Sequence, residues 1–389
     1  MNEYNICILF IALGLILALS MESFILPRII LISRKKCLFD IPNDRKEHKD
    51  PVPRLGGISF LPVLFLSTII TLYIRCKLLD NIFTPSFYDT LNDFMMLTSG
   101  LLVLYIVGIK DDLSGVNYRK KFFMQFIASI FLVLSGTYIN NLYGLFGIYE
   151  IPLYIGIPFS MLLCIFITNS INLIDGIDGL ASGISGAALA AYGYLFFISK
   201  QWTFSIICFT MLGILIPFFY YNVFSSKNKI FMGDTGSLML GFLLSFLGIR
   251  VAMSIPELPS TPPTGAILVA GSALFIPMFD AIKVMYARLC VHRNIFTPDR
   301  RHIHHRLIDI GLSHRVAMII IVSASIVMTL ANFYTLKYFN INIVFFVDVF
   351  VIYSSNKLIA YLRYKKKQRI LSIRLQEEIV EENKKRNIS

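Results

Sequence analysis

Charge is what this chain has least of. Only 15% of its 389 residues are Asp, Glu, Lys or Arg, against about 25% in soluble domains. Hydrophobic residues reach 56%, against the usual ~45–50%. A soluble fold of this size cannot hide so much apolar surface, so an ordinary cytosolic enzyme and a disordered chain are both excluded. Cysteine is sparse and lacks useful spacing. Cys7, Cys37, Cys76, Cys164, Cys208 and Cys290 form no C-x-x-C or other ligand pattern. That excludes a disulfide scaffold and a zinc framework and leaves reduced, apolar or interfacial thiols. No internal repeat is visible. The N-terminus lacks a basic n-region and an A-x-A-like site, so it is expected to be a first span rather than a cleaved signal.

What is present is long apolar runs. About 20 apolar residues cross a bilayer core. Eleven stretches qualify, roughly 4–27, 56–74, 92–109, 121–138, 153–172, 180–198, 203–221, 236–253, 265–287, 316–335 and 340–361. The expected fold is an all-α integral membrane protein of about eleven transmembrane helices. Residues 1–361 are expected to form one polytopic transmembrane domain, the catalytic one if the chain is an enzyme, and 362–389 a charged tail that reads as a helix. Thirty of the 36 Lys and Arg fall on the connections of one face, five on the other, and Lys357 lies inside the last span. Positive charge collects on cytoplasmic loops. The N-terminus is therefore expected outside and the C-terminus in the cytoplasm. The net charge of +12 then reflects membrane topology, not a nucleic-acid partner.

Ionisable residues at membrane depth are costly and mark function. Here they form five clusters, all on the basic face, although Lys and Arg alone set the topology. Segment 44–57, DRKEHKDPVPRLGG, ends on adjacent glycines that let backbone approach a ligand; it also reads as a solvated loop. Gly108-Ile-Lys110-Asp111-Asp112 pairs two carboxylates, which repel unless a cation or shared proton relieves them. Asn169, Asn172, Asp175 and Asp178 recur every three residues, giving one polar stripe if helical, with the helix expected to open near Gly176. Lys227 and Lys229 precede Gly233-Asp234-Thr235 at the start of a span. Asp234 there is either an N-cap or part of a phosphate–metal pair. Asp280 is followed by Asp299, Arg300, Arg301, His302, His304, His305 and Arg306. No Cys accompanies these His residues, so they suit a polyanion better than zinc. Carboxylates with Arg, Lys, His and Gly on one face suit a Mg²⁺–diphosphate site in a cytoplasmic cleft. A transporter would place polar groups near the midplane on inverted repeats.

In order, the motifs PRLGG, GIKDD, NLIDGIDGL, FMGDTGS and PDRRHIHH resemble the polyprenyl-phosphate N-acetylhexosamine-1-phosphate transferase family, over about residues 40–310. DGIDGL alone would suit the CDP-alcohol phosphotransferase motif, but Ser182 stands where that motif has Arg. The resemblance implies that a UDP-N-acetylhexosamine donates its sugar 1-phosphate to undecaprenyl phosphate, with Mg²⁺ required and Mn²⁺ a substitute. It implies a bacterial inner membrane, a cytoplasmic active site and room for a homodimer.

By motif, Asp234 would hold Mg²⁺, with a share from Asp111. Asp111 and Asp112 would position or deprotonate the acceptor phosphate. Asn172, Asp175 and Asp178 match the donor site, and Phe231 an aromatic stacking on uracil. Arg300, Arg301, His302, His304 and His305 match a loop closing over diphosphate and sugar, and Arg54 and Lys110 are phosphate contacts. The sister enzyme of peptidoglycan synthesis, which takes UDP-MurNAc-pentapeptide, carries PTMGG and an unbroken His run. Arg54, Asp299 and the interrupting Ile303 favour the GlcNAc-type branch. An ion-coupled transporter is the rival from another class.

Overall fold

The computed structural model describes residues 3–40, 52–79, 85–254, 266–292 and 301–386. It is a helical bundle. In chain order the helices are α1 (Glu3–Lys35), α2 (Phe60–Leu79), α3 (Pro85–Ser114), α4 (Tyr118–Leu134), α5 (Leu153–Ile174), α6 (Leu180–Ile198), α7 (Trp202–Phe219), α8 (Gly233–Ser254), α9 (Ala266–Ser272), α10 (Phe275–Leu289), α11 (Ile303–Ile310), α12 (His314–Thr335) and α13 (Ile341–Arg386). Among the described residues nine helices are long and apolar enough to cross a membrane, and the bent pair α9–α10 makes a tenth. The remaining expected stretch, 121–138, corresponds to α4, a 17-residue helix that opens on Tyr-Arg-Lys-Lys.

α8 is the axis of the bundle. It packs against α3, α5, α6 and α9, and Phe242, Phe246, Leu240 and Leu247 on it are fully buried. Between Leu238 and Ile249 its side chains are apolar on every face, Ser245 apart, as a helix enclosed by other helices requires. The site is built at its N-terminal end.

Two departures from the expected spans matter. α3 continues through Lys110, Asp111 and Asp112 to Ser114, so these residues stand on a rigid helical turn instead of a connection. The stretch 265–287 is not one straight helix, because α9 and α10 meet at 70°. Pro277 has no N–H to give the carbonyl of Ala273. Ser325 of α12 donates to that carbonyl instead, at 2.9 Å, which satisfies the broken turn and holds α12 against the bend. The tail is helical through Arg386, continuous with the last span. At the opposite end from the site, the hairpin Asn141–Leu145/Ile148–Glu150 is clamped by Asn342, and Arg250 pairs with Asp93 between α8 and α3 at 2.8 Å.

Candidate active site

The PRLGG segment is sewn to the FMGD segment by backbone alone. Phe231 N–H donates to Pro53 (2.8 Å), Gly56 N–H to the Phe231 carbonyl (2.9 Å) and Gly57 N–H to the Met232 carbonyl (2.9 Å). The approach demands glycine. A Cβ at Gly57 would collide with the backbone of Gly236 and sit 2.9 Å from the Met232 carbonyl. Gly233, at φ +73°, turns the chain into α8, and a Cβ there would strike the Arg54 carbonyl and both Asp112 oxygens. Gly57→Ala is expected to cost about 1–3 kcal/mol of strain. A lowered melting temperature in detergent, with turnover down about tenfold, checks it; a variant matching wild type in both contradicts the close packing.

Asp112 closes the other side of this turn. Its Oδ1 accepts from Asp234 N–H (2.7 Å), and its Oδ2 from Thr235 N–H (3.0 Å) and Thr235 Oγ1 (2.6 Å). A carboxylate from α3 therefore caps the N-terminus of α8, where orphan N–H groups and the helix dipole favour an anion by about 1–2 kcal/mol. Asp111, one residue earlier, faces elsewhere. Its Oδ1 accepts from Val116 N–H at 2.7 Å, and its Oδ2 lies against Lys121 Nζ as an ion pair.

Lys121 joins the two halves. Its Nζ also donates to Asp234 Oδ1 at 2.9 Å, so one ammonium bridges Asp111 of α3 and Asp234 of α8. The same Asp234 oxygen accepts from Asn172 Nδ2 (2.7 Å), which also reaches Ser237 Oγ (2.8 Å). Four helices thus converge on Asp234. Sequence reasoning missed Lys121, because it lies in the basic start of α4 that membrane topology already explains. Its offset of four from Gln125 was the available signal. Gln125 and Asn169 exchange amide hydrogen bonds at 2.6 and 3.3 Å. Asn169 therefore belongs to a seam between α4 and α5, not to the cleft.

The expected stripe is helical only in its first half. α5 ends at Ile174, next to the expected opening at Gly176, and Asp175 and Asp178 lie on the loop before α6. A five-residue π turn, Tyr220–Phe224, carries Asn222, which pins this loop. Its Oδ1 accepts from Gly179 N–H (2.6 Å), and its Nδ2 donates to the Ile230 carbonyl (2.8 Å). Asp178 pairs with Lys229 at 2.6 Å, and Lys229 Nζ lies 5.5 Å over the Phe231 ring. Burial, then the Asp234, Asp112 and Asp178 carboxylates, hold Asp175 well above the usual carboxylate range; the nearby charge of Arg54 opposes them.

The His segment docks from α11. His302 Nδ1 is 2.8 Å from Asp280 Oδ2, and Ile303 N–H donates to Asp280 Oδ1 (2.9 Å). Asp280 thus caps α11 and orients His302. His304 is buried with neither ring nitrogen hydrogen-bonded, and a Cβ on Gly176 would strike its ring. The His305 ring lies 4.3 Å from it, tilted by 47°, and the His302 ring lies parallel to it at 5.8 Å. Arg301 is exposed, 3.4 Å from the Ala287 carbonyl. Lys110 is exposed as well, and no described contact draws it into the cluster. Arg300 and Asp299 lie outside the described residues.

Burial first, then His305, His302 and His314, push His304 well below the ordinary histidine range. The sign follows. Above about pH 6.5 the docked and undocked rings are both neutral, and docking is unpenalised. Below it the undocked ring takes a proton that the docked ring refuses, weakening docking by about 1.4 kcal/mol per pH unit. Backbone amide exchange over 301–312 is expected to gain protection as pH rises from about 5.5 to about 7.5, corrected for intrinsic exchange, and His304→Asn to flatten that response. A pH-independent protection factor in the wild-type chain would count against it.

Segments as far apart in the chain as Pro53 and Phe231 thus meet in one cluster of carboxylates, amides and cations at the end of the bundle where α8 begins. The chain resembles known proteins over the same region. Residues 94–252 match the family model "Glycosyl transferase family 4". The undecaprenyl-phosphate alpha-N-acetylglucosaminyl 1-phosphate transferase of Yersinia pestis is 31% identical over 300 residues, 75% of each chain. The chain belongs to glycosyl transferase family 4. The protein of the same name from Escherichia coli K12 is 30% identical over 76% of this chain and 75% of its own. A probable undecaprenyl-phosphate N-acetylglucosaminyl 1-phosphate transferase of Bacillus subtilis is 29% identical over 80% and 81%. The family match takes in GIKDD, NLIDGIDGL and FMGDTGS, the motifs that supply Asp111, Asp112, Asn172, Asp175, Asp178 and Asp234.

The donor set can be tested against Mg²⁺. Among the described residues no three His, Cys, Asp or Glu converge as a metal cage. Mg²⁺ needs less, because it is held by one or two carboxylates together with substrate phosphates and water. Lys121 Nζ lies against Asp111 Oδ2 and Asp234 Oδ1, so an ammonium already stands between the two carboxylates. Two carboxylates sharing one cation fit that requirement. Both oxygens of Asp112 are committed to α8, so it is the carboxylate least suited to metal.

Proposed function

We propose that this chain transfers a HexNAc-1-phosphate, GlcNAc-1-phosphate by the names of its relatives, from a UDP-sugar to undecaprenyl phosphate. The products are undecaprenyl-diphosphate-sugar and UMP. The observation that carries the reading is the Asp111–Lys121–Asp234–Asn172 constellation at the meeting point of α3, α4, α5 and α8. Counting α4 and the bent pair, eleven spans put the N-terminus outside a bacterial plasma membrane. The C-terminus and the cleft then face the cytoplasm. The Lys/Arg asymmetry and the placement of every cluster on the basic face support that orientation. The protein acts alone or as a homodimer, at the first membrane step of a surface glycan.

A phosphate oxygen of the acceptor attacks the β-phosphorus of the donor. That O–P bond forms as the bond from the β-phosphorus to the bridging oxygen breaks, and UMP leaves with the bridging oxygen. Both substrates are anions, so the site must offset charge and fix an in-line approach. Asp234 and Asp111 would hold Mg²⁺, which supplies charge neutralisation on the diphosphate. Arg54, Lys121 and the His loop supply the remaining positive or hydrogen-bonding groups. Asp175, whose carboxyl is held well above the usual carboxylate range by burial and by its neighbouring carboxylates, is placed to take or give a proton. Phe231 and Lys229 offer a ring and a cation to the uridine side.

Asp178→Asn removes the partner of Lys229 and is expected to raise the donor KM about tenfold, while the KM for undecaprenyl phosphate holds. An unchanged donor KM would take Asp178 out of the donor site. The reading itself is tested by nucleotide release from purified protein with undecaprenyl phosphate and Mg²⁺. UDP-GlcNAc, UDP-GalNAc and UDP-MurNAc-pentapeptide are compared in parallel. Release that needs the lipid and is fastest with UDP-GlcNAc supports it. Preference for UDP-MurNAc-pentapeptide would transfer the chain to the peptidoglycan branch.

A further inference from the structure

A second feature lies apart from the carboxylate cluster. An apolar cavity of about 580 Å³ runs between α10, α12 and α13. On α13 its lining extends from Ile343 to Ile359, about 24 Å at the rise of a helix, most of a ~30 Å bilayer core. One polar pair within it is closed on itself, Asn332 Nδ2 donating to Asp348 Oδ2 at 2.6 Å. Its other polar residues are Asp280, Thr335, Ser355 and Asn356, and the remainder is aliphatic apart from Phe339.

The basic end of the groove is marked by Asn356, where two cations meet and where the Asp280 carboxylate, which also lines the groove, is the negative charge that reaches Arg306. Lys283 Nζ of α10 donates to Asn356 Oδ1 at 2.6 Å. Arg306 Nη1 of α11 donates to the same oxygen at 2.7 Å, and its Nη2 to the Asn356 carbonyl at 2.9 Å. Two cations therefore share one neutral amide oxygen. They repel at that spacing, and among the described residues neither makes an ion pair with a carboxylate. Asp280 is committed to His302 and Ile303, and Asp309 to Arg363. Lys283 and the buried Arg306 stand behind Asn356, which lines the groove, so a phosphate monoanion at this end of a groove shaped for hydrocarbon would take up their donors by displacing the Asn356 oxygen.

We propose that this groove binds an anionic phospholipid of the bilayer, its phosphate on Lys283 and Arg306 and an acyl chain between α12 and α13. The site is coupled to the His segment, because Arg306 sits on α11 with His302 and His304. The inference rests on the membrane reading and not on the identity of the donor, so its failure would leave nucleotide release untouched.

Full-length protein stripped of lipid in neutral detergent provides the test, with binding read by native mass spectrometry and by the shift in melting temperature. Dioctanoyl-phosphatidylglycerol is expected to bind on the order of tenfold tighter than dioctanoyl-phosphatidylcholine, and inorganic phosphate at equal concentration to cause no shift. Lys283→Met, which keeps the stem and removes the charge, and Ala324→Trp, which fills the groove, are each expected to weaken phosphatidylglycerol binding about tenfold. The second variant keeps the test independent of the first. Equal binding of the two lipids, a shift with inorganic phosphate alone, or wild-type binding by both variants would each overturn the proposal. Displacement of phosphatidylglycerol by undecaprenyl phosphate, lost in Lys283→Met, would also overturn it by giving the groove to the acceptor.

Discussion

Asp234→Asn is expected to lower turnover by about 10³-fold at saturating substrates, with the melting temperature close to wild type. Asp234 is where the four helices meet. Its Oδ1 accepts from Lys121 and Asn172, and an amide oxygen can keep those contacts. Its backbone N–H, not its side chain, binds Asp112, so the cap on α8 survives the substitution. What is lost is one negative charge beside the place of a diphosphate and its cation. The variant therefore separates charge from packing. UMP release within tenfold of wild type, from folded protein, would move the metal position away from α8.

Lys121→Met is the second large effect. The ammonium holds Asp111 and Asp234 together without substrate, where it competes with any divalent cation for both carboxylates. It also supplies positive charge toward a phosphate once displaced. Two changes are expected together. Turnover falls on the order of 10²-fold as a phosphate contact disappears. The Mg²⁺ concentration for half-maximal residual activity falls as well, because the competing cation is gone. Lys121→Arg should not restore wild-type behaviour, since a planar guanidinium cannot occupy the position of a compact ammonium. Turnover and Mg²⁺ midpoint both unchanged would mean that this cation plays no part in the site.

The contrast between Lys121 and Asp234 shows how far the sequence could be read. Apolar run length placed the helices, because the bilayer fixes that length. Polar residues on one face placed the site, because charge is rarely kept at membrane depth without use. Asn172, Asp175, Asp178 and Asp234 were legible on those grounds. Asp112 was legible as a candidate site residue but not as a helix cap, since the N–H it accepts from, that of Asp234, lies 122 residues later in the chain. Lys121 was hidden among basic residues that topology already explains. The bend at Pro277 could be suspected from proline alone, but its stabilisation by Ser325 depends on a tertiary contact. The same holds for the seam of Gln125 with Asn169. Its members are of the residue types that line a cleft, and only the packing of α4 on α5 assigns them to the interior.

The most direct test of the central claim is the identity of the nucleotide released. Purified protein is given Mg²⁺, undecaprenyl phosphate and UDP-GlcNAc labelled in the β-phosphate. A phosphoryl-transfer site built on Asp111, Lys121 and Asp234 predicts unlabelled UMP in the aqueous phase and the label in the lipid, in equal amounts. Labelled UDP in the aqueous phase, with the sugar alone on the lipid, would contradict it.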